Sequence, residues 1–242
     1  MYLNIEDKAS YIIQWMIDRV QEVGAKGGVF GVSGGVDSAL VLALAKRAWG
    51  DNCMGLVLPC HSLPEDVEDA LMLLDLFKCD HKLIDLTGPY DAMVETLKGL
   101  GEPNGLALAN LKPRLRMMTL YYQAALSNYL VVGTGNRDEY YIGYFTKYGD
   151  GGCDIAPLAR LTKGEVREMA RFLGVPQKIV DRVPSAGLWR GQTDEGEIGL
   201  TYRELDDYLL GKEVSPEAKA LIEKKHRQTE HKRRTPPIPD EI

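Results

Sequence analysis

The chain has 242 residues, of which 45% are hydrophobic and 26% are charged, and its formal net charge is −6. This composition is ordinary for a globular protein with a large core, and it argues against general nucleic-acid binding, which needs a basic surface. The four cysteines show no CxxC spacing, so neither a disulfide framework nor a zinc site is expected. No signal-peptide pattern and no apolar run of 18 residues is present, which predicts a cytoplasmic protein without a membrane contact.

Helix and strand patterns alternate through the first half of the chain. An amphipathic helix with Asn4 as its N-cap is expected first. The predicted helices cover residues 5–23, 39–46, 64–77, 87–100 and 106–127, and the predicted strands cover residues 29–32, 54–58, 81–86 and 129–133. Pro113 predicts a kink or restart in the longest helix. The alternation predicts an α/β fold of the Rossmann-like kind, with a parallel sheet flanked by helices.

The last third of the chain, from about Thr162, has the pattern of helices and loops. A further helix is expected over residues 162–174. No internal repeat, low-complexity segment or clean linker divides the sequence. We therefore expect one domain over residues 1–242, with a helical C-terminal extension.

The most informative segment is Ser33-Gly34-Gly35-Val36-Asp37-Ser38, which lies between the first predicted strand and the following helix. Glycines let the backbone approach a ligand closely, and amide groups at a helix N-terminus attract anions. The two serine hydroxyls can donate as well. The segment predicts a phosphate-binding loop, and an ordinary glycine- and serine-rich turn is the alternative.

Asp37 is an unusual neighbour for a phosphate because two negative charges repel each other. A divalent cation between them removes that repulsion, so we interpret Asp37 as a Mg²⁺ ligand. The loop lacks the Gly-Lys-Ser/Thr signature of the common P-loop. It instead resembles the pyrophosphate-binding loop of the ATP pyrophosphatases. That resemblance implies their fold, cleavage of ATP between the α- and β-phosphates, and ATP contacts from Gly31, Val32, Ser33, Gly34, Gly35, Val36, Asp37 and Ser38.

A second candidate segment, Gly133-Thr134-Gly135-Asn136-Arg137-Asp138-Glu139, follows the fourth predicted strand. Thr134 is placed to bond a nucleotide, and Glu139 to complete a metal site with Asp37. Both segments follow parallel strands and are therefore expected at one rim of the sheet. An acidic helix start on the surface is the alternative for Glu139. Residues 143–154, rich in glycine, aromatic and charged residues, predict a ligand-binding loop or else a bland surface loop.

These segments occur in the same order in the NAD⁺ synthetase family, and the resemblance extends from about Gly28 to Lys232. Later matching segments are residues 157–159, 161–163, 184–186, 191–195 and 230–233. The chain resembles the short, ammonia-dependent form, since its length leaves no room for a glutaminase domain. The resemblance implies that the carboxylate of deamido-NAD⁺ attacks the α-phosphate of ATP. Pyrophosphate then leaves, and ammonia displaces AMP to form NAD⁺.

The resemblance also implies roles for particular residues. It implies Mg²⁺ on Asp37 and Glu139, and ATP contacts from Thr134, Lys163 and Ser185. It implies deamido-NAD⁺ contacts from Arg114, Lys147, Asp154, His231 and Lys232. The bare sequence does not single these residues out: Lys163 alone would be an exposed helix-start lysine, and the pair at 231–232 part of a basic tail. Arg116 is expected to be structural or intersubunit.

The chemistry requires that water be excluded from the adenylate intermediate. Residues 178–199, which include Trp189 and Arg190, have mixed charges and no periodicity, so we expect a mobile lid there. The sequence does not decide whether the segment Cys60–Pro64 contacts adenine; His61 and Ser62 are its polar side chains. No general base for ammonia stands out, and Asp150 is only a candidate.

The family resemblance implies a homodimer, whose interface could include the apolar and aromatic residues 115–126; a core helix is the equal alternative. Two alternative functions fit the sequence less well. A tRNA-modifying or other adenylating amidotransferase would be expected to show a basic face and often paired cysteines, which this acidic chain lacks. A non-catalytic nucleotide binder of the universal-stress type would not need two carboxylates for Mg²⁺ or the loop at residues 143–154.

Overall fold

Short parallel strands form the central sheet of the protein. In the computed structural model, which describes residues 4–101, 104–185 and 193–239, they are β1 (Gly27–Gly31), β2 (Cys53–Val57), β3 (Asp80–Leu83) and β4 (Tyr129–Val131). Their order is β3-β2-β1-β4, with every pairing parallel. The chain moves outward from β1 to β3 and then returns to the other side of β1. This switch of direction opens a crevice at the carboxyl ends of β1 and β4.

Helices connect the strands and continue beyond the sheet. They are α1 (Ile5–Glu22), α2 (Val36–Trp49), α3 (Pro64–Leu76), α4 (Thr87–Leu97), α5 (Gly105–Ser127), α6 (Arg137–Ile142), α7 (Lys163–Phe172), α8 (Gln177–Val180), α9 (Asp194–Ile198), α10 (Tyr202–Leu209) and α11 (Pro216–Gln228). Short 3₁₀ turns follow α4 and α11. No helix in the described ranges is both long and apolar enough to cross a membrane.

The sheet carries a hydrophobic core on each face because side chains alternate along a strand. Phe30 and Val57 belong to the larger core, which also contains the buried sides of α1, α2, α3 and α7. Val29 and Leu56 belong to the other core, with residues of α4 and α5. Helix α2 is buried on nearly all sides, which holds the loop at its N-terminus firmly against the sheet.

A third apolar cluster joins the C-terminal helices to α6. Ile142 of α6 packs with Tyr202 and Leu205 of α10 and with Ile222 of α11. The Thr229 hydroxyl donates to the Ile142 carbonyl (3.0 Å), which fixes the end of α11 on α6. This cluster is the predicted helical extension, and it supports the short helix that carries Glu139.

The predicted α/β fold with a parallel sheet is confirmed, and several element boundaries differ. Strand β3 ends at Leu83 rather than residue 86, although the amides of Ile84 and Leu86 still donate to the carbonyls of Val57 and Pro59. Of the kink or restart predicted at Pro113, the restart was wrong: α5 continues through this residue, with Asn104 as N-cap and Asn128 in the left-handed conformation at its end. Caps at both ends stabilise α5 despite the bond that Pro113 lacks.

Candidate active site

The loop between β1 and α2 has the geometry of an anion cradle. The Ser33 amide donates to the Ser38 hydroxyl (3.2 Å), which in turn donates to the Gly35 carbonyl (3.0 Å). Gly34 has φ +81°, and a Cβ there would lie 2.8 Å from the Asp66 carbonyl oxygen, so only glycine fits. Gly35 is the N-cap of α2 and provides no side-chain cap. The first amides of α2 therefore remain available to bind an anion.

Asp37 lies in the first turn of α2 and contacts residues from two distant segments. Its Oδ2 is 2.5 Å from the Lys163 Nζ, and its Oδ1 accepts a bond from the Asn136 side chain (3.0 Å). Asn136 is fully buried and is the N-cap of α6, where it forms a capping box with Glu139. The two candidate segments of the sequence thus meet at Asp37.

Glu139 and Asp194 complete the surroundings of the Lys163 ammonium group. The Glu139 Oε1 is 3.9 Å from the Lys163 Nζ. The Tyr202 hydroxyl donates to both carboxylates, at 3.2 Å to Glu139 and 3.0 Å to Asp194, and the lysine ammonium lies 4.7 Å from the centre of the Tyr202 ring. The Tyr144 hydroxyl donates to Asp194 as well (3.2 Å). Lys163 itself is only 2% exposed.

Three carboxyl groups, those of Asp37, Glu139 and Asp194, surround the single ammonium group of Lys163. Burial, followed by the charge of Asp37, raises the pKa of Glu139 to about 8. Burial also raises the pKa of Asp194. Burial alone would lower the pKa of Lys163, but Asp37 and Glu139 outweigh it and the pKa is raised. Lys163 is therefore cationic, and the crowded carboxyl groups favour additional positive charge at the site.

This donor set fits Mg²⁺ shared with a bound phosphate. Asp37 and Glu139 contribute hard oxygen atoms, and a divalent cation between them would favour the ionised form of both carboxyl groups. Among the residues that the structure describes, no group of three or more His, Cys, Asp or Glu side chains is arranged to hold a metal ion. Mg²⁺ commonly binds through one or two carboxylates, phosphate oxygens and water, so two protein ligands suit it.

The other two residues predicted to contact ATP lie farther from this cluster in the sequence. Thr134 follows β4 and is half-buried, and Ser185 is exposed. The last part of the predicted lid begins with Thr193, the N-cap of α9, and its first part lies in α8. Residues 186–192, with Trp189 and Arg190, lie outside the described residues, so the expected mobility stays a prediction.

The predicted dinucleotide residues form a second group around residues 143–154. The Arg114 guanidinium donates to the Lys147 carbonyl at 3.4 Å, and the Lys232 ammonium donates to the carbonyls of Gly143 and Phe145, each at 2.7 Å. His231 is exposed in the turn after α11. The structure thus brings Arg114, Lys147 and Lys232 to one loop.

Two aspartates of the loop at residues 143–154 accept hydrogen bonds from other residues of the protein. The Asp154 carboxylate accepts bonds from the Val131 amide (2.8 Å) and the Tyr121 hydroxyl (3.0 Å), which fixes the end of the loop to β4 and α5. Asp150 accepts a bond from the Thr146 amide (2.9 Å). Arg116 donates to the Leu58 carbonyl (3.0 Å), in agreement with a structural role.

Four residues of the site were not assigned from the sequence: Asn136, Tyr144, Asp194 and Tyr202. Asn136 had a readable signal, since Asn three residues before Glu predicts a capping box. Asp194 lies in a segment that was matched to the family without a role. Tyr144 lies in the predicted ligand-binding loop without an assigned role, and Tyr202 gave no signal, because nothing local places its hydroxyl beside buried carboxylates.

The fold and the site together define the class of protein. A parallel α/β sheet bears an anion-binding loop at its carboxyl edge, and a buried lysine lies among carboxylates beside that loop; such a site suits nucleotide phosphates. A family model described as NAD synthase matches residues 8–236. The chain belongs to this family.

The similarity to individual relatives extends over the whole chain. An NH(3)-dependent NAD(+) synthetase from Carboxydothermus hydrogenoformans is 50% identical over 241 residues, which cover 99% of each chain. A structure of NMN synthetase from Francisella tularensis superimposes with a TM-score of 0.95 at 39% identity, covering 99% of this chain and 100% of that one. The structure of the NH3-dependent NAD synthetase from Campylobacter jejuni superimposes with a TM-score of 0.82 at 29% identity. The match covers 98% of this chain and 100% of that one.

Proposed function

We propose that the protein is an ammonia-dependent NAD⁺ synthetase, a ligase that forms a C–N bond by amidating deamido-NAD⁺ with ATP and ammonia. The observation that carries this proposal is the end-to-end similarity to NH(3)-dependent NAD(+) synthetases, at 50% identity for the relative from Carboxydothermus hydrogenoformans. The buried Lys163 beside the anion-binding loop supplies the matching chemistry.

In the first step, the substrate carboxylate attacks the α-phosphorus of ATP and the bond to the β-phosphate oxygen breaks. The amides of the loop at residues 33–38 and the N-terminus of α2 bind the pyrophosphate, whose charge grows as it leaves. Lys163 stabilises the same charge from the other side. Asp37 and Glu139 would hold Mg²⁺, which neutralises phosphate charge when bound. Asn136 keeps the Asp37 carboxylate in place through its side-chain hydrogen bond.

In the second step, ammonia attacks the carbonyl carbon of the adenylate and AMP leaves. We assign Arg114, Lys147 and Lys232 to substrate binding because Lys147 belongs to the loop at residues 143–154 and the other two side chains bond to its backbone. A guanidinium suits phosphate and carboxylate groups. Asp154 would orient the loop through Val131 and Tyr121, and His231 is exposed for contact. Asp150 remains the candidate base for ammonia.

A second candidate function is the same amidation of a mononucleotide, nicotinate mononucleotide, to give NMN. The observation that favours it is the TM-score of 0.95 to the NMN synthetase from Francisella tularensis, higher than that to the NAD synthetase from Campylobacter jejuni. Both substrates present the same nicotinate carboxylate, so the ATP site described above serves either reaction. The two substrates differ only in the AMP moiety, which deamido-NAD⁺ contains and nicotinate mononucleotide lacks.

The test is to measure amide formation with ATP and Mg²⁺, using deamido-NAD⁺ and nicotinate mononucleotide in parallel. Each substrate is supplied with ammonium or with glutamine as the nitrogen source. We expect the higher kcat/KM with deamido-NAD⁺ and ammonium. A higher kcat/KM with the mononucleotide would select the second function. Pyrophosphate release without either amide would contradict both.

We also propose that the protein acts as a homodimer through α5. Met118, Tyr122 and Leu126 of this helix are 59%, 69% and 65% exposed. Their spacing of four residues aligns them along one side of the helix, and Arg114 precedes them in the same row. An apolar row that includes a substrate-binding arginine suits a dimer interface beside the dinucleotide site.

A further inference from the structure

Lys163 reaches the site from the first turn of α7, so the position of that turn determines where its ammonium lies. The turn already has a local capping box: the Glu165 carboxylate accepts from the Thr162 amide (2.8 Å), and the Thr162 hydroxyl accepts from the Glu165 amide (3.4 Å). This box satisfies the amides of residues 162 and 165. The amides of Lys163 and Gly164 need other partners.

Two carboxylates from different helices accept these remaining bonds. The Lys163 amide donates to the Asp138 Oδ2 (2.7 Å) and to the Asp206 Oδ1 (3.1 Å), and the Gly164 amide donates to the Asp206 Oδ2 (2.8 Å). Asp138 lies in α6 and Asp206 in α10. A Cβ on Gly164 would lie 2.6 Å from the Asp206 Oδ2, so the approach is close.

Asp138 is costly to keep in this place. It is fully buried and lies beside the carboxyl group of Asp206, which accepts a bond from the same Lys163 amide. A fully buried carboxyl group next to a second carboxyl group disfavours the folded state. Its neighbour in sequence, Glu139, faces the Lys163 ammonium. Helix α6 therefore contacts Lys163 twice: Asp138 accepts a bond from the lysine backbone amide, and Glu139 lies near the lysine ammonium.

We propose that Asp138 and Asp206 are positioning residues that fix the first turn of α7, so that the Lys163 ammonium lies between Asp37 and Glu139. Neither residue touches substrate; both act through Lys163. The inference rests on the proposed function for its kinetic readout, and ATP binding provides a readout that does not depend on the substrate to be amidated. A residue that only stabilises the fold would lower the melting temperature without a selective effect on ATP.

The experiment is a double-mutant cycle with Asp138→Ala and Lys163→Met, measured on the full chain. The Kd of ATP with Mg²⁺ is determined by calorimetry, and KM and kcat by the amidation assay. With Lys163 present, we expect Asp138→Ala to weaken ATP binding about tenfold while the KM of the second substrate changes less than about twofold, since contacting residues couple strongly. With Lys163→Met already in place, Asp138→Ala should have no further effect on ATP.

Conservative and control variants keep the inference testable if Asp138→Ala folds poorly. Asp138→Asn retains an acceptor for the Lys163 amide and should stay within about threefold of the parent in ATP affinity. Asp206→Ala should weaken ATP binding as Asp138→Ala does. Asp207→Ala is the matched control on α10, because that side chain bonds Lys212 instead. Equal losses with and without Lys163, or unchanged ATP affinity in folded Asp138→Ala and Asp206→Ala, would overturn the proposal.

If the parent protein amidates neither nucleotide, the proposed function fails. The double-mutant cycle on the Kd of ATP can still be measured, because it does not depend on amidation. If amidation proceeds and the cycle shows additive losses, the proposed function stands and the positioning roles of Asp138 and Asp206 are excluded. The two failures are therefore distinguishable.

Discussion

At the residue scale, Lys163 joins the two candidate segments of the site, since its ammonium lies against Asp37 of the first and near Glu139 of the second. Its burial removes it from water, which makes each interaction with a carboxylate or phosphate stronger than at the surface. A surface lysine could not serve in the same way. In the proposed mechanism, the same side chain that pairs with Asp37 in the free protein contacts phosphate when ATP binds.

We expect Lys163→Met to lower kcat/KM for ATP by about 100-fold, because a preorganised positive charge is lost where the pyrophosphate charge develops. The KM of the second substrate should change little. The check is steady-state kinetics with each substrate varied in turn, at a temperature where circular dichroism shows a folded variant. Lys212→Met is the control, since that lysine is exposed and pairs with Asp207. Wild-type kinetics for Lys163→Met would remove the lysine from the mechanism.

A second prediction concerns Glu139, whose pKa is raised from 4.5 to about 8 by burial and by Asp37. Between these two pH values the folded protein binds a proton that the unfolded chain has released. The free energy of unfolding therefore falls as pH rises through this window. Asp194 shifts in the same direction, so it adds to the slope.

Thermal melts in EDTA from pH 5.5 to 8.5 should show the midpoint falling toward high pH, and Glu139→Gln should reduce that slope. The glutamine keeps the shape of the side chain and cannot ionise. Glu213→Gln provides a control substitution in an exposed loop. An unchanged slope in Glu139→Gln would show that Glu139 does not titrate in this range.

At the element scale, the first turn of α7 shows how backbone contacts override helix propensity. We expect Gly164→Ala to destabilise the protein, although alanine favours a helix over glycine by about 1 kcal/mol. The new Cβ would lie 2.6 Å from the Asp206 Oδ2, and the Asp206 carboxylate must then give up bonds to α7. ATP affinity should fall together with the melting temperature.

Gly88→Ala in α4 is the matched control for this substitution. A Cβ at Gly88 meets nothing within 4 Å, so the same change should leave stability unchanged or raise it by up to about 1 kcal/mol. Chemical denaturation of the two variants measures the difference. If Gly164→Ala is as stable as Gly88→Ala, the close approach of α10 to α7 is not maintained in solution.

The elements were largely predictable because their signals are local. Buried strands at residues 29–32 and 54–58, and the cap at Asn4, follow from short patterns of residues. The regular part of β3 ends before residue 86, although the amides of Ile84 and Leu86 still donate to Val57 and Pro59. The meeting of Asp194, Tyr202 and Lys163 was not predictable, since it depends on how distant helices pack around α6.

At the scale of the whole molecule, α5 links the residues proposed to bind the dinucleotide to an exposed apolar row on its surface. Met118, Tyr122 and Leu126 are exposed in a row, while the buried side of the helix packs on β1 and β4. Arg114 begins the same row and bonds the loop at residues 143–154. Dimerisation through this row would therefore also fix the substrate-binding loop.

We expect Tyr122→Glu to shift the protein from dimer to monomer, because a charge at the centre of an apolar interface must be desolvated without a partner. Sedimentation velocity at micromolar concentration gives the mass of the species. Activity should fall with the dimer, and mainly through a higher KM for the nicotinate substrate, since Arg114 and Lys147 lie at this surface while Lys163 does not. ATP affinity should change much less.

Tyr11→Glu is the matched control, with the same substitution on α1 at a residue that is 65% exposed. It should remain dimeric and active, because α1 is distant from α5 across the sheet. If the Tyr122→Glu protein sediments as the wild type does, the dimer interface does not include this row of α5. A monomer with unchanged KM for the nicotinate substrate would separate dimerisation from substrate binding, and would leave Arg114 and Lys147 acting within a single chain.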